Sequence, residues 1–95
     1  MENKGHYFYV LTCRDGSYYG GYTNNLERRL KLHNEGKGAK YTRGRGPVSL
    51  TFAKEFDTKE EAMKAEYRFK QLTRLKKEQF LNRETSDINV AAEKL

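Results

Sequence analysis

Two runs rich in aromatic and β-branched residues, HYFYVLTC (6–13) and SYYGGYT (17–23), stand on either side of Arg14-Asp15-Gly16. Such residues suit a pleated, half-buried surface, and Asp-Gly between two runs of this kind is a hairpin signal. Strands joined by so short a turn must be antiparallel. The turn then decides what the strands present. A two-residue turn at Asp15-Gly16 would pair Tyr9 with Tyr22 and Tyr19 with Thr12, placing Tyr9 and Tyr19 on opposite faces. A three-residue loop, Arg14-Asp15-Gly16 with Gly16 left-handed, would slip the register by one. Tyr9 would then face Gly21 and Tyr19 would face Leu11, so both tyrosines share a face with open space at Gly21 between them. The sequence permits either register. Glycine inside a strand often marks a bulge or a close approach by another group, and Gly20 and Gly21 both sit inside the second run.

TNNLERRLKLHNEGKG reads as a helix that Thr23, Asn24 or Asn25 could cap and Gly36 could end. The following stretch, GKGAKYTRGRGP (36–47), carries four glycines, the only proline, and Lys37, Lys40, Arg43 and Arg45. It reads as a basic loop. VSLTFAKEF alternates as a third strand, of undetermined direction. Thr58 and Glu61 form a capping-box pattern opening a helix through about Leu72. RLKKEQFLN reads as another short helix, and residues 83–95 as a weakly specified tail, helical or frayed. The expected fold is α+β, in the order β-β-α-β-α-α: a three-stranded sheet of antiparallel type with flanking helices. It forms one domain over 1–95, with its core over about 7–81.

Ninety-five residues suffice for one small domain. With 36% hydrophobic residues and a mean hydropathy of -1.03, the core must be small, and the seven Tyr and five Phe must supply much of it. The single cysteine, Cys13, excludes an intrachain disulfide and fits a reducing compartment. No apolar run approaches the ~20 residues of a membrane helix, and MENKGHYFYV lacks the layout of a signal peptide. A cytoplasmic protein is expected. The net charge of +6 and pI near 9.5 suit a polyanionic partner, nucleic acid above all, though a basic solvated surface would give the same totals.

At helical spacing Leu26, Arg29, Leu30 and His33 form one stripe, while Arg28 and Lys31 point elsewhere. Arg29 and His33 therefore share the leucine face. A structural reading has Arg29 snorkelling over apolar surface and His33 closing the stripe. The later helix repeats the pattern with Ala62, Ala65, Glu66 and Phe69. An inward carboxylate needs a cation, a metal or strong donors. A structural ion pair, with Arg29 itself as one option, would satisfy Glu66.

These residues resemble the GIY-YIG nuclease domain family, over roughly Tyr7 to Leu81. Tyr7-Phe8-Tyr9 is similar to the first signature strand and Tyr19-Gly20-Gly21 to the second. TNNLERRLKLH resembles the family's arginine-bearing helix, and EEAMKAEYRFKQL its glutamate-bearing helix. The small size and the basic loop look like the stand-alone bacterial branch, and the loop is similar to one in members that act on branched DNA. By this resemblance Tyr9 and Tyr19 match the signature tyrosines, Arg29 the catalytic arginine, His33 a histidine of many members, and Glu66 the metal-binding glutamate. The chain departs from the pattern with Tyr7 for glycine, Phe8 in the middle position, and Gly20 where isoleucine or valine is usual. A fused DNA-binding domain, of the kind many homing and repair members carry to choose their target, is not expected.

The resemblance implies hydrolysis of a DNA phosphodiester by water, assisted by one Mg²⁺ or Mn²⁺ on Glu66. Arg29 would brace the charge developing on phosphate. Tyr9 or Tyr19 would orient or deprotonate the water, Tyr9 being favoured as base. A phenol pKa of ~10 would have to be lowered by Arg29, the metal or His33. Lys37, Lys40, Arg43 and Arg45 would contact neighbouring phosphates. Repair or recombination, on branched, nicked or flapped DNA, would be the setting. The alternative is a non-catalytic module binding DNA or structured RNA on the same fold. Nothing in the pattern sets the oligomeric state.

Overall fold

The computed structural model describes residues 5–38, 44 and 46–93, with backbone alone for 85–93. Its elements follow in the expected order: β1 (His6–Thr12), β2 (Tyr18–Thr23), α1 (Leu26–Asn34), β3 (Ser49–Phe56), α2 (Lys59–Lys70) and α3 (Arg74–Glu93).

The first turn takes the longer of the two forms. Gly16 adopts φ +87°, in the left-handed region that favours glycine. The Cys13 N–H donates to the Ser17 carbonyl at 2.8 Å and the Gly16 N–H to the Cys13 carbonyl at 2.9 Å, so Arg14-Asp15-Gly16 is the loop. The Asp15 carboxylate accepts from the Ser17 N–H at 3.0 Å and stiffens it. Tyr9 consequently pairs with Gly21 and Leu11 with Tyr19. β3 runs antiparallel along the other side of β1, giving the order β2-β1-β3. A register shift between Val10 and Leu11 sets Val10 opposite Phe52 but Leu11 opposite Leu50.

Alternation along β1 divides the core into two layers. Phe8, Val10 and Phe52 pack with Phe69 of α2 and Leu81 of α3. Phe8 meets Phe52 and Phe69 with ring centroids 5.8 and 5.6 Å apart, and Phe52 meets Phe80 at 5.3 Å, favourable tilted geometries. On the other face Tyr9, Leu11, Cys13 and Val48 pack with Tyr19, Leu26 and Leu30. α1 thus covers one face of the sheet, and α2 with α3 the other. Phenylalanines dominate one layer and tyrosines enter the other, which is how so polar a chain fills a core.

The helix starts follow the capping signals. Asn25 caps α1, its side chain accepting from the Arg28 N–H at 3.1 Å. Thr58 caps α2, accepting from the Glu61 N–H at 3.2 Å. The ends differ from expectation. α2 stops at Lys70, so that Leu72 can turn into the core. The expected short helix is the first half of α3, which runs on through most of the presumed tail. No glycine or proline interrupts residues 74–93, so nothing local ends the helix.

Gly20 lets α2 approach β2. A Cβ there would lie 3.1 Å from Phe69 Cδ2. Gly20→Val should therefore overpack this contact and destabilise the fold by about 1–3 kcal/mol despite valine's better strand propensity. Urea unfolding of the two proteins checks this.

Candidate active site

The hairpin register brings Tyr9 and Tyr19 to the α1 face, with ring centroids 6.4 Å apart. The Thr23 hydroxyl accepts from the Asn25 N–H at 3.1 Å, which fixes where α1 leaves β2. With that start, Leu26 and Leu30 pack on the sheet and the same stripe turns Arg29 and His33 inward. Arg28 and Lys31 are exposed, as their spacing predicts.

Tyr9 and His33 are each only 1% exposed, and the Tyr9 hydroxyl lies 2.9 Å from His33 Nε2. Arg29 Nε donates to the same hydroxyl at 3.4 Å. The Tyr19 ring packs on His33 at 5.2 Å. A Cβ at Gly21 would stand 2.5 Å from the Tyr9 hydroxyl oxygen, so only glycine admits the phenol there. The space at Gly21 is therefore filled by Tyr9, not open between the two phenols. Gly38 lies so close to His33 Nδ1 that a side chain would collide with the ring. Asn34 ties the end of α1 to the start of β3, its side-chain oxygen accepting from the Val48 N–H at 2.7 Å.

Burial sets the protonation states. It pushes the Tyr9 phenol up to about 12, against the hydrogen bond from Arg29; the nearby Tyr19 and Glu66 also raise it. Burial, followed by the charge of Arg29, pushes His33 down to about 4. The bond to Tyr9 raises Arg29 further, so it stays a cation. At neutral pH the cluster holds a neutral phenol, a neutral imidazole and one fixed charge. The Arg29 Nε–H can only donate, so the phenol oxygen accepts there, and its own proton is free to go to His33 Nε2.

Glu66 comes from α2, on the other face, and its side chain is 17% exposed. Its partner is Lys70, whose Nζ lies 2.9 Å away, and not Arg29. Lys70 Nζ also stands 5.9 Å from the Tyr19 ring centroid. The polar edge of α2 thus meets the tyrosine cluster across β2, one of the two edge strands of the sheet. The Glu66–Lys70 pair has i,i+4 spacing, a signal present in the sequence. The roles of Asn34 and Gly38 carry no comparable signal.

Among the described residues, no three His, Cys, Asp or Glu side chains converge. This does not suit zinc, which takes three or four protein ligands. A single carboxylate does suit a hard cation that keeps much of its water, such as Mg²⁺ or Mn²⁺. Lys37 is exposed at the start of the basic loop; Lys40, Arg43 and Arg45 lie outside the described residues. No helix among the described residues is long and apolar enough to cross a membrane.

The GIY-YIG catalytic domain family matches residues 5–79. A UPF0213 protein of Bacillus velezensis is 69% identical over 81 residues, 85% of this chain and 82% of that one. The UPF0213 protein YazA of Bacillus subtilis is 60% identical over the same shares of the two chains. Two solution NMR structures are also similar. One is the UPF0213 protein BH0048 from Bacillus halodurans, with TM-score 0.56, 56% identity, and 82% of this chain and 83% of that one covered. The other is the protein EF2693 from E. faecalis, with TM-score 0.59, 59% identity, and 86% and 88% covered. A match across most of the chain, on the strands and helices that carry Tyr9, Tyr19, Arg29, His33 and Glu66, shows that this chain belongs to the GIY-YIG family, a nuclease superfamily.

Proposed function

We propose that the protein is a divalent-metal-dependent endonuclease that hydrolyses phosphodiester bonds in DNA. Its substrates would be branched, nicked or flapped DNA in the repair or recombination of a bacterial cytoplasm. The observation that carries this reading is the buried Tyr9 hydroxyl, held between Arg29 Nε at 3.4 Å and His33 Nε2 at 2.9 Å. A phenol between a fixed cation and a neutral imidazole is placed to move a proton beside a bound anion.

In this reading Tyr9 orients or deprotonates the attacking water, and the Arg29 Nε–H beside its hydroxyl stabilises the negative charge the phenol takes on, against the burial that raises it. Tyr19, packed on the same imidazole, orients the water. The Arg29 cation stabilises charge on the phosphate oxygens. Glu66 would hold Mg²⁺ or Mn²⁺, with water and phosphate oxygens as the other ligands. When bound, the metal supplies Lewis-acid stabilisation of the phosphate and the leaving oxygen. Lys37 and the basic residues after it, Lys40, Arg43 and Arg45, contact flanking phosphates.

The second reading is a non-catalytic module for DNA or structured RNA. The Glu66–Lys70 ion pair favours it, because the carboxylate already has a cation. Nicked, flapped, branched and plain duplex DNA, incubated with Mg²⁺ or Mn²⁺, separates the two. Cleavage should require metal, and Glu66→Ala and Arg29→Ala should each lower its rate by about 10²–10³-fold while DNA binding persists. An intact protein that cuts nothing, or variants that cut as well as the parent, would sink the nuclease reading.

The His33 environment also sets a pH dependence. Its folded value of about 4 lies below its ordinary 6.5, so above 6.5 both the folded and the unfolded chain are neutral at this position. As pH falls from 6.5 toward 4 the unfolded chain takes the proton first, and stability should drop by up to ~1.4 kcal/mol per pH unit. Urea unfolding between about pH 5 and 7 should show this slope in the parent and a flatter one in His33→Gln.

A further inference from the structure

Beside Tyr19, where β2 meets the end of α2 and the start of α3, lies a groove of about 330 Å³. Tyr18, Tyr19, Gly20, Phe69, Lys70 and Lys77 line it. Its walls alternate aromatic and cationic groups. The Arg74 guanidinium lies 4.4 Å from the Tyr18 ring centroid, Lys77 Nζ 5.4 Å from Phe69, and Lys70 Nζ 5.9 Å from Tyr19. Gly20 contributes backbone only and leaves the floor low.

Lys70 and Lys77 line this groove, and Arg74 flanks it on the Tyr18 ring. Glu66 holds Lys70 and Glu78 holds Arg74, each at 2.9 Å, while Lys77 leans on an aromatic face. The balance is positive, which suits a phosphodiester. The aromatic and guanidinium planes suit a base face. A duplex shows only the edges of its bases in its grooves, so such planes can engage a base only where it is unpaired. The volume falls at the small end of ligand sites, the scale of one nucleotide and not of a helix.

We infer that this groove holds an unpaired nucleotide flanking the scissile phosphate. Its base stacks on the Tyr18–Arg74 platform and its phosphate meets Lys77. Lys70, ion-paired with Glu66, lines the same groove. The inference rests on the nuclease reading for the direction in which the strand leaves the site. Tyr18, Arg74 and Lys77 would then select strands that open next to the cut, which a stack reads without regard to base identity.

Fluorescence anisotropy without divalent metal tests the groove, using a labelled duplex with a single-stranded overhang and the same duplex blunt-ended. The parent should prefer the overhang. Tyr18→Leu and Lys77→Ala should each lose roughly tenfold in overhang affinity, on the scale of one base–aromatic stack, with blunt-duplex affinity kept. Tyr18 borders the core, so its variant is first shown to be folded by circular dichroism; Lys77 lies outside the buried cluster and tests the groove independently. Equal losses on both DNAs, or no loss in either variant, would overturn the assignment. If the parent cuts DNA while both variants bind as it does, only the groove is lost. If it binds overhangs through the groove and cuts nothing, only the nuclease reading is lost.

Discussion

The approach of the Tyr9 phenol to the Gly21 backbone is the constraint on which the rest of the site depends. It exists only in one register of the hairpin, and the left-handed Gly16 fixes that register. Because strand side chains alternate with period two, a slip of one residue would carry Tyr19 to the α2 face and Tyr22 to the α1 face. Gly21 would leave its place beneath the phenol. His33 and Arg29 reach Tyr9 only because Tyr9 lies flat enough for α1 to close over it. A three-residue loop therefore decides whether this cluster can assemble.

Burial does two things there at once. It makes both titratable groups neutral, the phenol by raising it and the imidazole by lowering it, and it excludes water from the hydrogen bond between them. Arg29 keeps its charge because it lies at the rim, half-exposed, with the phenol oxygen as an acceptor. The hydrogen-bonded pair thus stands uncharged next to a fixed cation. Keeping an imidazole uncharged in the core costs stability in acid, a cost that a purely structural residue such as leucine would not incur.

Much of this was legible in the sequence. The helical stripe singled out Arg29 over Arg28 and turned His33 inward, and the capping residues Asn25 and Thr58 set where α1 and α2 begin. The hairpin was legible as a hairpin, but its register was not. Both turns use the same Asp-Gly pair, and only the backbone angle of Gly16 separates them. Glu66 was legible as an inward carboxylate, yet its partner was missed, since a helix stripe shows direction and not which of several cations is in reach. The length of α3 was understated because a polar segment without periodicity looks like a tail, although nothing in it breaks a helix.

Asn34 has a consequence beyond its own hydrogen bond. Its side chain binds the Val48 amide at 2.7 Å, joining the two ends of the basic segment directly. The chain between them is then an insertion on a closed frame, and its ends stay put whatever it contains. The hairpin and α1 hold Tyr9, Arg29 and His33, and beyond Gly38, which lies against the His33 ring, the chain up to Pro47 can change its length and charge with both its ends held in place. A fold of this design can vary one connecting segment while the cluster of Tyr9, Arg29 and His33 stays in place.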